Sequence, residues 1–436
     1  MNAKAEELLQ KIPRPKLRGD KVLWICVLFF AMVSVLAVFS SSSFIANRHD
    51  MPKTAIFFSQ LKFVAMGFFT LLVFYLVPMR LYRRAAFAVF IITLAGLVAA
   101  MLFGEEINGA KRSFSILGFT VQPLEFAKIG LILYLAKALE LWQDSLGTLK
   151  DYCLKLLLPI GVTCLFVLPN SASTVLLFGL LSFLVMFFMG VKPKFLLLTI
   201  GAAVAAIALL LLVYNVAYAG KVHEPGEKVG KVEGFFNRIG TAQQRILNFA
   251  SGAKLDEETA SATLSKEELE KIRDTKRQSM NAKIAISQGG LIGKGPGKST
   301  QRYSLSMAFS DFIFAFIVEE YGLLGGGLVI LFYIIVLFRC IRMTRRCSTA
   351  FSEALILGLS WLIALQAMLH IFVNVGLLPV TGHTLPLISH GGTAYLVLSG
   401  AMGMILSVSR HLEKKEEKEH QLQETPVEAN NYEQAD

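Results

Sequence analysis

The sequence predicts an all-α polytopic membrane protein, a bundle of ten transmembrane helices with one large extracytoplasmic loop. Three observations carry the prediction. Of 436 residues, 54% are hydrophobic and only 17% charged, with 33 phenylalanines; a soluble domain is roughly 25% charged. The apolar residues gather into runs of about 18 or more, the length that crosses a bilayer. Clusters of Lys and Arg recur at alternate gaps between those runs, the pattern of basic loops kept on the cytoplasmic side.

The elements follow in order. Residues 1–21 form a basic N-terminus in which Lys11, Arg14, Lys16, Arg18 and Lys21 precede the first apolar run, and so belong in the cytoplasm. That run is long and lacks a small-residue cleavage pattern, so it reads as a retained span and not a signal peptide. Spans fall at Val22–Ala46, Ala55–Val77, Ala85–Phe103, Phe119–Leu139, Tyr152–Leu168, Ser173–Val191, Phe195–Ala219, Phe309–Phe338, Ser352–Val375 and Gly391–Val408. Alternation then keeps Arg80, Arg83 and Arg84, Lys192 and Lys194, and Arg339, Arg342, Arg345 and Arg346 inside. An odd number of spans would strand one of these clusters outside.

The membrane domain is therefore 22–408, and within it residues 220–308, between the seventh and eighth spans, form the extracytoplasmic loop. Ser265 and Glu268 make a capping box there, with Leu264 and Leu269 as a hydrophobic staple, ahead of a helical KEELEKIRDTKRQ. A solvated spacer and a partner-docking surface are both open to this segment. Residues 409–436 are acidic, rich in Gln and Asn and without an apolar pattern, and read as a disordered cytoplasmic tail.

Several function classes drop out. Cys26, Cys153, Cys164, Cys340 and Cys347 fall in spans or inner loops, so no extracytoplasmic disulfide framework is implied, and no Cys/His spacing suggests zinc. The net charge of +11 is placed as topology requires and does not point to nucleic acid. With no internal repeat and no globular catalytic domain, any chemistry belongs at a mouth of the bundle or within it.

Four stretches carry chemistry-bearing residues. GGLIGKGPGKST, Gly289–Thr300, resembles a phosphate loop, but G-x-x-x-x-G-K-[ST] requires glycine where Ile292 stands, so a nucleotide site is rejected. Its glycines, with Lys294, Lys298 and Arg302, can still cradle a pyrophosphate, or the cations can merely flank a span. In NGAKRSFSILGFTVQPLEFAK, Lys111 and Arg112 lie in an outer loop, while Glu125 and Lys128 sit three apart on one helical face. They make either a structural ion pair or one wall of a polar cavity. NVGLLPVTGHTLPLISHGGTAY, Asn374–Tyr395, breaks the helical pattern at membrane depth, where irregular backbone survives only inside protein or along a cavity. His383 and His390 lack metal spacing and read as hydrogen-bonded structure.

The fourth stretch, SDFIFAFIVEEYG, places Asp311, Glu319 and Glu320 beside an apolar run. Ser310 is a candidate N-cap, with Asp311 in the first helical turn, where the dipole favours an anion by roughly 0.3–1 kcal/mol. Glu319 would lie about 12 Å further along the axis and ~80° around it, and Glu320 about 180° around. Carboxylates paired in glycosidic chemistry stand roughly 5–9.5 Å apart. Asp311 and the glutamates are thus not a dyad, and the deep glutamates need buried partners.

These four motifs, in this order on ten spans, closely resemble the SEDS family (shape, elongation, division and sporulation) over about Val22 to Arg410. The resemblance implies a SEDS-type bundle and a peptidoglycan glycosyltransferase that polymerises lipid II at the outer face of the cytoplasmic membrane, releasing undecaprenyl pyrophosphate. It implies a cognate class B penicillin-binding protein as transpeptidase partner. GPGKSTQR followed by EEYG favours the division branch over the elongation branch, hence the septum and other divisome membrane proteins. The match makes Asp311 catalytic and gives Lys111, Arg112, Gln122, Glu125, Lys128, Lys294, Lys298, Arg302 and Ser389 as substrate-binding candidates. Glu319, Glu320 and His390 are left to structure or coupling. Departures from the family pattern are Leu305-Ser306-Met307 before the catalytic motif, Pro169-Asn170-Ser171-Ala172 after the fifth span, Ser113-Phe114 after Arg112, and His390 at an aromatic position.

An α-linked donor and a β-linked product need one inverting displacement and no covalent nucleophile. The pyrophosphate leaving group needs charge neutralisation, which Arg112, Lys128, Lys294 or Arg302 can supply, with Mg²⁺ or another divalent cation as the one cofactor the chemistry has room for. A single base for the acceptor hydroxyl then suffices, worth roughly 10²–10⁴-fold. The rival readings are a transporter that flips lipid-linked precursors, a scaffold that recruits the transpeptidase, and an elongation polymerase.

Overall fold

The computed structural model of the chain describes residues 18–41, 53–107, 110–116, 119–142, 148–217, 266–301 and 310–424. Its helices are α1 (Lys21–Ser41), α2 (Lys53–Leu76), α3 (Met79–Phe103), α4 (Pro123–Trp142), then α5, built from Leu149–Tyr152, Cys153–Leu157 and Leu158–Val167. There follow α6 (Ala172–Phe188), α7 (Pro193–Ala217), α8 (Lys266–Gly289), α9 (Ile313–Thr344), α10 (Ala350–Val375) and α11 (Gly392–Glu424). Each of the ten expected spans overlaps one of these helices, α8 being the additional one. Among the described residues, seven helices (α1, α2, α3, α7, α9, α10 and α11) are long and apolar enough to cross a membrane.

The fourth expected span starts late. Phe119–Val121 is a strand, β3, which pairs antiparallel with β2 (Ala110–Ile116), itself paired with β1 (Glu105–Ile107). The three form one small antiparallel sheet, with a bulge between Glu105 and Glu106. α4 begins only at Pro123, whose missing N–H is no loss in a first turn. Lys111 and Arg112 thus lie on a strand, not in an irregular loop.

α5 is interrupted where Pro159 can neither donate a hydrogen bond nor pack against the carbonyl four residues back. A π-type stretch, Cys153–Leu157, widens the helix there, and the freed Lys155 carbonyl accepts the Tyr134 hydroxyl at 2.7 Å. The Pro169–Ala172 turn ends in an N-cap for α6: the Ser171 hydroxyl accepts from the Thr174 N–H at 3.3 Å. Thr349 caps α10 in the same way, and Gly376, at φ 78°, closes its C-terminus.

α10 and α11 are the centre of the bundle, with 72% and 78% of the residues in their apolar stretches buried, against 6% for α7 at the rim. α10 packs among α4, α6 and α9, and α11 lies along α2. The helix signal in the outer loop is α8, which is docked and not merely solvated: Ala282 and Ala285 pack against Phe312, Ala315 and Val373. Ser265 and the rest of 218–265 lie outside the described residues.

The tail expected to be disordered from 409 instead continues α11 to Glu424, and 425–436 lie outside the described residues. Its acids find partners: Glu413 accepts the Gly19 N–H, Glu416 pairs with Arg346, and Glu417 lies 3.4 Å from Arg18.

Candidate active site

Asp311 is in a turn just ahead of α9, whose first helical residue is Ile313. Ser310 does not cap the helix; Phe312 holds the cap position without a side-chain bond. The turn is fixed through its backbone from two sides. From α10, Asn374 Nδ2 donates to the Asp311 carbonyl at 3.0 Å and to the His370 carbonyl at 2.8 Å, and Asn374 Oδ1 accepts the Ala315 N–H at 3.0 Å. From the 376–391 loop, the Ser389 hydroxyl donates to the Ser310 carbonyl at 2.8 Å and accepts the Leu385 N–H at 2.8 Å. Asp311 is half-buried, and its Oδ2 faces exposed Gly382, where a Cβ would stand 3.9 Å away. The same loop holds Leu387 at φ 59°, a left-handed conformation an L side chain seldom adopts and one that clusters at functional segments.

A buried polar relay supports this loop. Lys128, 1% exposed, donates to both oxygens of Glu125 at 2.8 Å and to Gln366 Oε1 at 3.1 Å. Gln366 Nε2 then donates to the Thr384 carbonyl at 3.1 Å, so α4, α10 and the loop are linked through charge-assisted bonds. The Glu125–Lys128 pair is a buried ion pair tied through Gln366 to the loop that carries Gly382. His370 Nδ1 bonds the His383 carbonyl at 2.8 Å. Burial first, and the nearby Lys128 second, push the His383 imidazole down to about 3, so it is neutral.

The sheet lies at the same mouth. Thr393, at the start of α11, bonds the Thr120 carbonyl of β3, and the Gln122 carbonyl accepts the Glu125 N–H at 3.1 Å at the head of α4. Lys111 and Arg112 share β2 with Ser113, with Lys111 paired across to Glu106.

The glutamates and the Gly-rich loop form a separate clasp. Glu319, fully buried, accepts from Lys294 Nζ at 2.7 Å, from the Thr300 N–H at 2.9 Å and from the Ser299 hydroxyl. Glu320 Oε1 accepts from the Gly297 N–H at 2.9 Å and from the Ser40 hydroxyl of α1 at 2.6 Å. Backbone bonds run alongside, from Lys294 N to the Glu319 carbonyl and from Leu323 N to the Gly290 carbonyl, past Gly322 at φ 70°. The anions this Gly-rich loop holds through its N–H groups are the protein's own carboxylates. Lys294, grouped by sequence with the pyrophosphate cations, is thus engaged by Glu319, whereas Lys298 is exposed. Arg302 lies outside the described residues.

His390 Nδ1 bonds Gln60 Oε1 at 2.5 Å, and Gln60 reaches Ser34, which donates to the Ile388 carbonyl at 2.7 Å. Sequence reasoning missed Gln366, His370 and Asn374. They recur every fourth residue on the ninth span, hence on one face, and that polar stripe in an apolar helix was a readable signal.

Comparisons with known proteins agree with this architecture. The family model described as "Cell cycle protein", covering FtsW, RodA and SpoVE, matches residues 20–245 and 262–414. A protein of Enterococcus hirae named "Probable peptidoglycan glycosyltransferase FtsW" is 27% identical over 415 residues, 93% of this chain and 97% of its own. A protein of the same name from Saccharophagus degradans is 30% identical over 410 residues, 91% of this chain and 94% of its own. The fold is similar to a solved chain reported under "Structural coordination of polymerization and crosslinking by a peptidoglycan synthase complex", with a TM-score of 0.65 at 21% identity, covering 90% of this chain and 98% of that one. Matched along most of its length, this chain belongs to the FtsW/RodA/SpoVE family of cell cycle proteins.

Proposed function

We propose that the protein is a peptidoglycan glycosyltransferase of cell division that polymerises lipid II at the septum, with Asp311 as general base. The single observation carrying this is the setting of Asp311: a half-buried carboxylate beside exposed Gly382, with its backbone fixed by Asn374 and Ser389. A partly exposed carboxylate whose backbone is held in place is what proton abstraction from a sugar hydroxyl requires. Relatives bearing the glycosyltransferase name support the reaction class.

In the proposed step, Asp311 takes the proton of the acceptor 4-hydroxyl as that oxygen attacks the donor's anomeric carbon. The C–O bond to pyrophosphate breaks with inversion, and undecaprenyl pyrophosphate leaves with the electron pair. Lys111 and Arg112 on β2, with Lys298, are the candidate cations for the leaving group; Lys128 acts from behind, through Gln366 and Thr384. Among the described residues, no three or more His, Cys, Asp or Glu gather as a metal cage. A divalent cation at this site would be one shared with the pyrophosphate oxygens, where it would neutralise charge. A class B penicillin-binding protein is the proposed partner, in keeping with the polymerising and crosslinking complex to which the fold is similar.

The test is polymerisation of lipid II by purified protein in detergent, where there is no second compartment to transport into. Wild type should yield glycan polymer and Asp311→Asn should lose at least ~10²-fold. Full activity of the asparagine variant would remove Asp311 as base. A folded wild type that makes no polymer, alone or with its partner, would favour the transporter reading.

A further inference from the structure

The end of the bundle opposite Asp311 carries a feature the glycosyl transfer does not use. α3 runs from Arg80 up to the sheet, and α11 runs from the active-site loop down to Arg410 and beyond, so their far ends meet away from the chemistry. Two cavities open there. One, of about 460 Å³, is lined by Arg80, Arg83, Arg84, Phe87 and Lys137; the other, of about 310 Å³, by Pro78, Met79, Arg80, Ser407, Arg410, His411 and Lys414. They share Arg80.

The cations in the first cavity are poorly neutralised. Arg83 and Lys137 both use the same carboxylate, Glu140, at 2.7 and 3.0 Å. Arg80 and Arg84 are exposed and have no carboxylate partner among the described residues. In the second cavity Arg410 is turned toward the Leu76 carbonyl at 3.1 Å and lies over the Tyr75 ring, which leaves Arg80 and Lys414 as the open charges near His411. Like charges crowded into concave sites at the end of a bundle repel one another unless an anion sits between them. Exposed apolar Leu76 and Leu81 flank Arg80 along the chain, so the cavities open beside lipid-facing surface.

We propose that these joined cavities bind the phosphates of an anionic phospholipid, and that Arg80 bridges two phosphodiesters of one headgroup, as a bis-phosphatidyl lipid such as cardiolipin presents them. A bidentate guanidinium is suited to that bridge. Basic pockets between helices on the cytoplasmic side are the usual place for such headgroups. The inference rests on the membrane reading and on the basic clusters facing the cytoplasm, and is independent of Asp311.

The test uses the full-length protein in nanodiscs of phosphatidylcholine titrated with cardiolipin, read by native mass spectrometry and by lipid-induced shifts in melting temperature. Wild type should bind cardiolipin saturably and in preference to phosphatidylcholine. Removing one such cation should weaken binding about fivefold, so Arg80→Gln with Arg84→Gln should weaken it roughly 25-fold. Equal charge removal at Lys192 and Lys194, on another inner loop, should change it less than about twofold. Lys414→Gln is a second variant if the double arginine change does not fold, and should alone weaken binding about fivefold. Undiminished binding by the folded variants, or the same loss from the Lys192 and Lys194 changes, overturns the site. If inorganic phosphate binds these residues as tightly without lipid, the source is a free anion and the lipid assignment fails.

Discussion

Asn374 acts on Asp311 only through backbone. Replacing it with leucine keeps its branched shape but leaves the Asp311 carbonyl and the Ala315 N–H without that partner. A shift of the base by a fraction of an ångström to 1 Å costs up to about 10²-fold in rate. Asn374→Leu should therefore lower kcat per folded molecule for lipid II polymerisation by roughly that factor while KM stays within about threefold, the folded fraction being measured separately because loss of fold lowers apparent kcat in the same way. His383 supplies a pH test. It is held neutral down to about 3, while in the unfolded chain histidine titrates near about 6.5. Between those values the unfolded chain binds a proton that the folded one does not, so stability rises with pH across the window and falls as pH drops below about 6.5. Melting temperature in detergent should decline from pH 6.5 to 5, and His383→Gln should flatten the slope. At this scale, the sequence exposed Asp311, Lys128 and Glu125 through their charge in apolar surroundings. The targets of Asn374 and Gln366 are carbonyls of distant loops, and no side-chain pattern reveals a carbonyl.

The elements were legible where hydrophobic length decides and opaque where short-range pairing does. The spans and the α8 helix signal follow from periodicity and capping chemistry. The sheet was missed because β1 and β3 are three residues each, and Phe119–Val121 reads as the apolar start of a span. The clasp between the Gly-rich loop and α9 was half visible: the glutamates demanded buried partners, but the cations were assigned to substrate. Its geometry gives a sharp contrast between two glycines. Gly322, at φ 70°, lies against the Leu291 carbonyl, and a Cβ there would overlap backbone. Gly297, at φ 74°, has open space where a Cβ would stand. Gly297→Ala should cost only the left-handed penalty of about 1–2 kcal/mol. Gly322→Ala, at φ 70° and ψ −175° in a region open essentially to glycine alone, combines that strain with overpacking, for a total of about 2–5 kcal/mol. Urea or thermal unfolding in detergent should show that order, with both alanine variants keeping polymerase activity per folded molecule.

At the scale of the whole molecule, composition and the long apolar runs were enough for an all-helical membrane bundle, but not for its layering. Apart from the Gln366, His370 and Asn374 stripe on α10, the runs do not mark α10 and α11 as central and α7 as peripheral, since lipid and protein interior select the same apolar residues. The distinction is energetic. Leu359 on α10 is fully buried, whereas Leu209 on α7 is 62% exposed on the rim. In a bilayer neither leucine leaves water in the folded protein, so transfer from water does not separate them; packing does. Truncating Leu359 opens a void that its close-packed neighbours fill only partly, whereas lipid chains flow into the space left at Leu209. Leu359→Ala should therefore destabilise by about 2–5 kcal/mol, and Leu209→Ala by under about 0.5 kcal/mol. Unfolding in bicelles, by steric trapping or denaturant, would measure both. Equal losses at the two sites would mean that α7 is covered by protein in the assembled state, and the difference should then reappear when the partner is removed.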